Sequence, residues 1–185
     1  MLKTGKEDFT INGVSEGFIL KDFWRWFASD LLDNTLRGTL AEFIVAKALG
    51  VLEPCESWGA YDLDFNQWRV EVKAAAYVQS WKQKKASTIT FSIRPARTWT
   101  PEYGYSDEVK RQSDIYVFCL LCENDPKKAD PMCLEQWEFY PVLTSTINKE
   151  FKDQKSVGLS ALIQRLCPVK CSFESLRDTV TNMLS

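Results

Sequence analysis

The sequence contains no histidine in 185 residues. That absence removes Ser-His-Asp and Cys-His triads, HNH-type nucleases and His-rich zinc hydrolases in one step. Any catalysis must therefore use carboxylates, lysine, hydroxyls, thiols or a bound ion. A P-loop and a GxGxxG turn are also missing, which argues against the common nucleotide-binding enzymes. Long apolar runs are lacking too. The stretch from Ile115 to Cys122 is the longest, far short of the roughly 20 residues a membrane-spanning helix needs. Met1 to Asp8 carries no apolar signal core, so the expected location is cytoplasmic, with no membrane partner. There is no internal repeat, low-complexity tract or linker-like shift in composition.

What is present reads as an ordinary globular chain, 45% hydrophobic and 26% charged. The length suits a single domain over 1–185, with a core at about 34–145 and further helices appended at both ends. Six cysteines are present. Cys119 and Cys122 bracket two leucines inside an apparent buried strand, and Cys167 and Cys171 complete no metal spacing with them. Free buried thiols are the expected state, with a structural zinc site as the alternative. The net charge of −2 counts mildly against a nucleic-acid partner. It is unevenly spread, however: Ala74 to Ser113 carries seven basic and three acidic residues, a net +4 against −6 elsewhere. A basic stretch beside an acidic site suits phosphate binding, and a solvated face has the same composition.

The apolar spacing predicts a helix over Ser15–Leu32, with Phe18, Phe23, Trp24, Phe27, Leu31 and Leu32 on one face. A second helix is expected over Leu36–Leu49, capped by Asn34 or Thr35 and stopped at Gly50. Strands are expected at Ala60–Phe65, Trp68–Lys73 and Thr88–Ile93. Arg97–Gly104, flanked and interrupted by Pro95 and Pro101, is expected to be a loop. Ile115–Cys122 reads as a central buried strand, and Trp137–Leu143 as a strand pushed to an edge by Pro141. Helices at Leu159–Leu166 and Ser172–Leu184 close the chain. The predicted architecture is α/β, a mixed central sheet of about five strands flanked by helices.

The hairpin around Asn66-Gln67 carries the chemistry. With a two-residue loop there, facing residues have numbers that sum to 133, so Asp64 faces Arg69 and Asp62 faces Glu71. One face then shows Tyr61, Leu63, Phe65, Trp68, Val70 and Val72, all apolar in character. The other shows Asp62, Asp64, Arg69, Glu71 and Lys73. Asp64 and Arg69 compensate each other. Two facing carboxylates, with Cβ atoms about 4.5 to 5.5 Å apart, repel unless something neutralises them. Lys73 supplies one positive charge, and a hard divalent cation would supply the remainder. The plain alternative is the solvated face of an amphipathic hairpin.

Glu42 interrupts the apolar run Leu40 to Val45 on the second helix. Such an acid reaches solvent, pairs with Arg37, or points to the sheet and needs a cation there. Trp81 with Lys82, Lys84 and Lys85 is either a nucleic-acid grip, stacking and pairing with phosphates, or a packing tryptophan beside solvated lysines. Trp58, Trp68, Trp99 and Trp137 are read as core or loop packing.

Together, Arg37-Gly38-x-x-Ala41-Glu42, Tyr61-Asp62 and Glu71-Val72-Lys73 resemble, in order and spacing, the PD-(D/E)XK nuclease superfamily with its restriction-endonuclease-like fold. The resemblance covers about Leu36 to Ile93, and Tyr61 stands where many members have proline. It implies a magnesium-dependent endonuclease, with Mn²⁺ able to substitute, that hydrolyses phosphodiesters, most naturally in DNA. Asp62, Glu71 and the Val72 carbonyl would hold the metal, with Glu42 binding directly, through water or at a second site. Lys73 would position or polarise the attacking water. Gln79 matches a glutamine some members keep beside the site, though an exposed polar residue reads the same. A homodimer is consistent with the resemblance. The competing expectation is a catalytically inactive nuclease-like subunit for DNA binding or assembly.

Overall fold

A computed structural model of the chain describes residues 2–51, 53, 59–100 and 102–185; the expectations for Cys55, Trp58 and Pro101 lie outside them. The centre is a four-stranded mixed sheet. Its strands are β3 (Leu63–Phe65), β4 (Trp68–Ala76), β8 (Ile115–Leu121) and β9 (Trp137–Leu143), in that spatial order. β4 runs parallel to β8 in the register Val70 to Ile115 through Ala76 to Leu121, and β9 runs antiparallel to β8. All seven residues of β8 are buried, as a near-continuous apolar strand covered on both faces must be. β9 lies at the sheet edge, where the sequence around Pro141 placed it.

Each face of the sheet has its own apolar layer. On one, α2 (Asn34–Leu49) and α5 (Phe173–Leu184) pack Ala41, Val45, Leu49, Leu176 and Val180 onto Val70, Val72, Val117 and Phe139. On the other, β5 (Thr90–Ser92), α3 (Thr144–Phe151), β10 (Ser156–Gly158) and α4 (Leu159–Leu166) pack Phe91, Ile147, Val157 and Leu162 onto Phe118, Leu120 and Tyr140.

α2 begins at Asn34, one of the two expected caps, and its cap is Asp33, one residue earlier. The Asp33 carboxylate accepts the N–H groups of Thr35 and Leu36 at 2.9 and 3.2 Å, which satisfies two of the donors a helix start leaves free. It ends at Gly50 in the left-handed region, φ 77°, where an added Cβ would meet the Arg177 guanidinium at 2.6 Å.

The structure corrects several expectations. The predicted sheet of about five strands has four, because β5 pairs antiparallel with β10 rather than joining it. The predicted helix over Ser15–Leu32 is instead a hairpin, β1 (Asp8–Ile11) and β2 (Val14–Ile19), followed by the short helix α1 (Leu20–Phe27). Asn12 and Gly13 both take positive φ there, which makes the tight turn of a two-stranded hairpin. The aromatic spacing that imitated a helix therefore spans a strand and a helix. Arg97–Gly104 is not a loop either: β6 (Ala96–Thr100) and β7 (Gly104–Lys110) form a second separate hairpin, with Pro95 just outside β6, where no ladder hydrogen bond is lost. α3 was not foreseen, because Thr144–Phe151 presents only Ile147 and Phe151 as buried apolar anchors. All five described cysteines are free, Cys119 and Cys171 buried and Cys167 exposed. No helix among the described residues is long and apolar enough to cross a membrane.

The β3–β4 register is the expected one: Leu63 faces Val70, Asp64 faces Arg69 and Phe65 faces Trp68. Asn66 and Gln67 supply the turn with φ of 49° and 72°, a conformation that costs a side-chain-bearing residue about 1–2 kcal/mol. Arg69 does not pair with Asp64. It binds Asp114 at the start of β8, through Nη2 to Oδ1 at 2.6 Å, Nε to Oδ2 at 3.0 Å and its own N–H to Oδ2 at 2.9 Å. Those hydrogen bonds hold the Asp114 carboxyl below its ordinary value of 3.8.

Two outcomes follow for stability. Gln67→Gly should raise unfolding free energy by about 0.5–1 kcal/mol, the relieved turn strain less the added chain entropy, measured by urea denaturation. Asp114→Asn should cost about 1 kcal/mol at neutral pH, discounted for the partial exposure of both partners. Because the folded carboxyl is depressed, wild-type stability from this pair is present above about pH 4 and lost as pH falls through the depressed value. Urea curves from pH 7 to 2 should show wild type converging on the variant.

Candidate active site

The candidate site sits on β4 next to the edge strand β3. Successive residues of β4 alternate between faces, so Val70 and Val72 enter the α2 core while Glu71 and Lys73 point the other way. The regular β3–β4 ladder ends at Leu63 and Val70. One residue further out, the Asp62 N–H bonds the Val70 carbonyl at 3.1 Å, and its Oδ2 accepts the Val72 N–H at 2.6 Å. The Asp62 side chain thus continues the strand's hydrogen bonding where the backbone of β3 has left it. Asp62 and Glu71 are consequently not a regular facing pair. They meet through Lys73, whose Nζ lies 2.5 Å from Glu71 Oε1 and 3.7 Å from Asp62 Oδ2.

All three side chains are mostly withdrawn from water, with 18 to 27% of each exposed. Burial pushes the Glu71 carboxyl above its ordinary range; the Lys73 charge opposes that shift and Asp62 adds to it. Burial alone would lower Lys73, but the two carboxylates outweigh it and hold the ammonium above its ordinary value. Lys73 is therefore charged at neutral pH. Tyr116, beside Glu71 in the β4–β8 register, is pushed up to about 12 by burial and then by the Glu71 charge, so it stays a neutral phenol. Two carboxylates against one ammonium leave the cluster short of positive charge. The Asp62 and Glu71 oxygens, with the Val72 carbonyl between Glu71 and Lys73 in the chain, are the hard donors a divalent cation such as Mg²⁺ takes. Among the described residues no three acidic or sulfur side chains converge as a metal-holding group. Glu42 is half-buried on α2, and the two acids are not extended by it into such a set.

Gln79 is engaged away from the Asp62–Glu71–Lys73 cluster. Its Oε1 accepts Arg37 Nη1 at 3.0 Å, and its Nε2 donates to the Ala76 carbonyl at 2.9 Å and to Ser87 Oγ at 3.2 Å. Arg37 is 5% exposed and also donates to the Leu32 carbonyl and to Asn34 Oδ1. The pair ties the start of α2 to the end of β4. Trp81, Lys82, Lys84 and Lys85 follow on an exposed segment, and Trp81 borders an open cleft of about 350 Å³ with Asn34, Arg37 and Gln79. Of the seven basic residues counted between Ala74 and Ser113, Arg111 is buried, its guanidinium bonded to the Ile93 and Gln154 carbonyls and Asn148 Oδ1; the other six are exposed. Trp137 is core, as expected, while Trp68 and Trp99 are exposed.

Residues missed from sequence stand around Glu71. Asp114 anchors the same strand, and a cleft of about 730 Å³ opens beside Glu71 against Arg97, Trp99, Tyr105 and Gln112. The available signal was the Thr-Trp-Thr and Tyr-Gly-Tyr alternation around Pro101, masked by the proline.

The fold and the cluster define a class: an α/β protein with two carboxylates and a lysine gathered where an edge hairpin leaves a mixed sheet. Residues 26–161 match the family of bacteriophage T4 endonuclease IV, and the chain belongs to that family, which makes it a nuclease. The match includes Glu42, Asp62, Glu71, Lys73 and Gln79 and leaves out β1, β2 and α5. No curated protein matches the chain.

The Arg37–Gln79 link gives a test that separates support from chemistry. Gln79→Ala should destabilise the fold by about 2 kcal/mol, since it strips a partner from a buried cation. Lys85→Ala should leave the melting temperature unchanged. Thermal denaturation of both variants measures this.

Proposed function

We propose that this nuclease is a metal-dependent endonuclease of the PD-(D/E)XK type, hydrolysing phosphodiester bonds in DNA. The observation that carries the reading is the Lys73 ammonium held between the Asp62 and Glu71 carboxylates, all three mostly buried, with Glu71 at the wall of an open cleft. Family membership supports the nuclease half of the reading; the acid, acid, lysine chemistry supports the metal-dependent half.

The donor set fits Mg²⁺, with Mn²⁺ able to replace it. Asp62, Glu71 and the Val72 carbonyl would hold the ion, and the remaining positions would go to water and phosphate oxygens, as is usual for Mg²⁺. The bound ion supplies charge neutralisation at the phosphate and a more acidic water. The chain's own groups do the rest. The Val72 N–H fixes Asp62 Oδ2 in place, so its carboxylate needs no reorganisation. Glu71, raised by burial, is costly to ionise alone, so its charge is best compensated by a cation. Lys73 remains an ammonium and donates hydrogen bonds to the attacking water or to the phosphate oxygen that gains charge. Glu42 contributes from α2 through water, outside the direct donor set.

Supercoiled plasmid incubated with Mg²⁺ or Mn²⁺ should be nicked, and EDTA should stop the reaction. Lys73→Ala should lower the rate about a hundredfold or more while the variant remains folded. A folded Lys73→Ala variant that cuts at the wild-type rate would sink the assignment.

A further inference from the structure

The hairpin of β6 and β7 belongs to neither apolar layer. A two-stranded hairpin has little stability of its own in water, yet this one presents large aromatic surface to solvent: Trp99 is 49% exposed and Tyr105 70%. The two residues are cross-strand partners, so their side chains share one face of the hairpin. That face lines the cleft of about 730 Å³ that Glu71, Arg97 and Gln112 also line. The cleft lies inside the range of small-ligand sites. It joins one of the two acidic residues of the proposed site to a paired aromatic surface that lies outside both apolar layers.

We propose that this cleft receives one unstacked nucleobase of the substrate, next to the phosphate that is cut. The inference rests on the endonuclease reading of Asp62, Glu71 and Lys73. Trp99 and Tyr105 supply the stacking surface. Every base has a π-face, so such a surface takes a base without needing a match of hydrogen bonds. Arg97, exposed and lining the cleft, is suited to the adjoining phosphate or to stacking on the base edge. A base in the cleft leaves its sugar-phosphate link on the Glu71 side, where Lys73 waits. Trp99 and Tyr105 are thus positioning residues that fix which phosphate meets the carboxylates.

The test is a cycle between protein and DNA, read by fluorescence anisotropy in EDTA so that no cutting intervenes. Oligonucleotides, single-stranded and duplex, carry one abasic position walked along the sequence. They are titrated against wild type, Trp99→Ala, Trp99→Phe, Tyr105→Ala and Lys73→Ala. Trp99→Ala and Tyr105→Ala should each weaken binding about tenfold, while Trp99→Phe keeps most of the affinity. One abasic position should weaken wild type by a similar factor and cost Trp99→Ala nothing further. Wild-type affinity in both alanine variants, abasic losses that add in full to theirs, or no binding of either DNA by wild type would each overturn the proposal. Lys73→Ala keeps the two readings apart. Its loss of cleavage tests the carboxylate site, whereas the abasic losses compared between wild type and Trp99→Ala, both with Lys73 in place, test the cleft.

Discussion

The candidate site depends on the parallel pairing of β4 with the buried strand β8. β8 is apolar on both faces and carries a core on each, so its place is set by burial alone, at about 25 cal/mol per Å² removed from water. β4 inherits that place through the ladder from Val70 to Ala76, and the Arg69–Asp114 bonds hold the two strands together at their starts. Once β4 is fixed, alternation sends Val70 and Val72 into the α2 layer and leaves Glu71 and Lys73 on the other side. The placing of this cluster is thus a by-product of packing that its own residues do not provide.

Against that background the cluster is a place where the fold accepts a cost. Glu71 is raised by its burial and Lys73 is held charged by its two neighbours. Asp62 substitutes a carboxylate for a backbone partner at the end of β3, which fixes its position without a longer strand. A hydrophobic substitution of the whole group would pack as well or better. On the proposed reading, what favours retaining it is the work a charged, preorganised group can do on a phosphate.

Much of this was legible in the sequence. The alternation of Leu63, Phe65, Val70 and Val72 against Asp62, Asp64, Glu71 and Lys73 admits only one register, because a slip of one residue would bury the acids; the observed pairing is that register. Gly50 stops α2 as its position implied, and the eight uninterrupted apolar residues of Ile115–Cys122 marked the central strand. Local regularities failed where two elements shared one pattern. The aromatic spacing of the first 32 residues runs across a hairpin turn into α1, and Pro95 and Pro101 disguised β6 and β7.

The sequence by itself determined the hairpin and its polar face, because those follow from alternation between neighbours along one strand. Tertiary structure alone decided the partners. Arg69 took Asp114 rather than Asp64, since the ladder brings the start of β8 against the start of β4. Gln79 was drawn to Arg37, and Arg111 into the second core. The fold also brought Glu71, Trp99 and Tyr105 to one cleft. Each of these contacts joins residues 18 to 45 apart in the chain, and no local propensity encodes which distant group will arrive. That choice belongs to the burial of β8 and of the layers on its two faces.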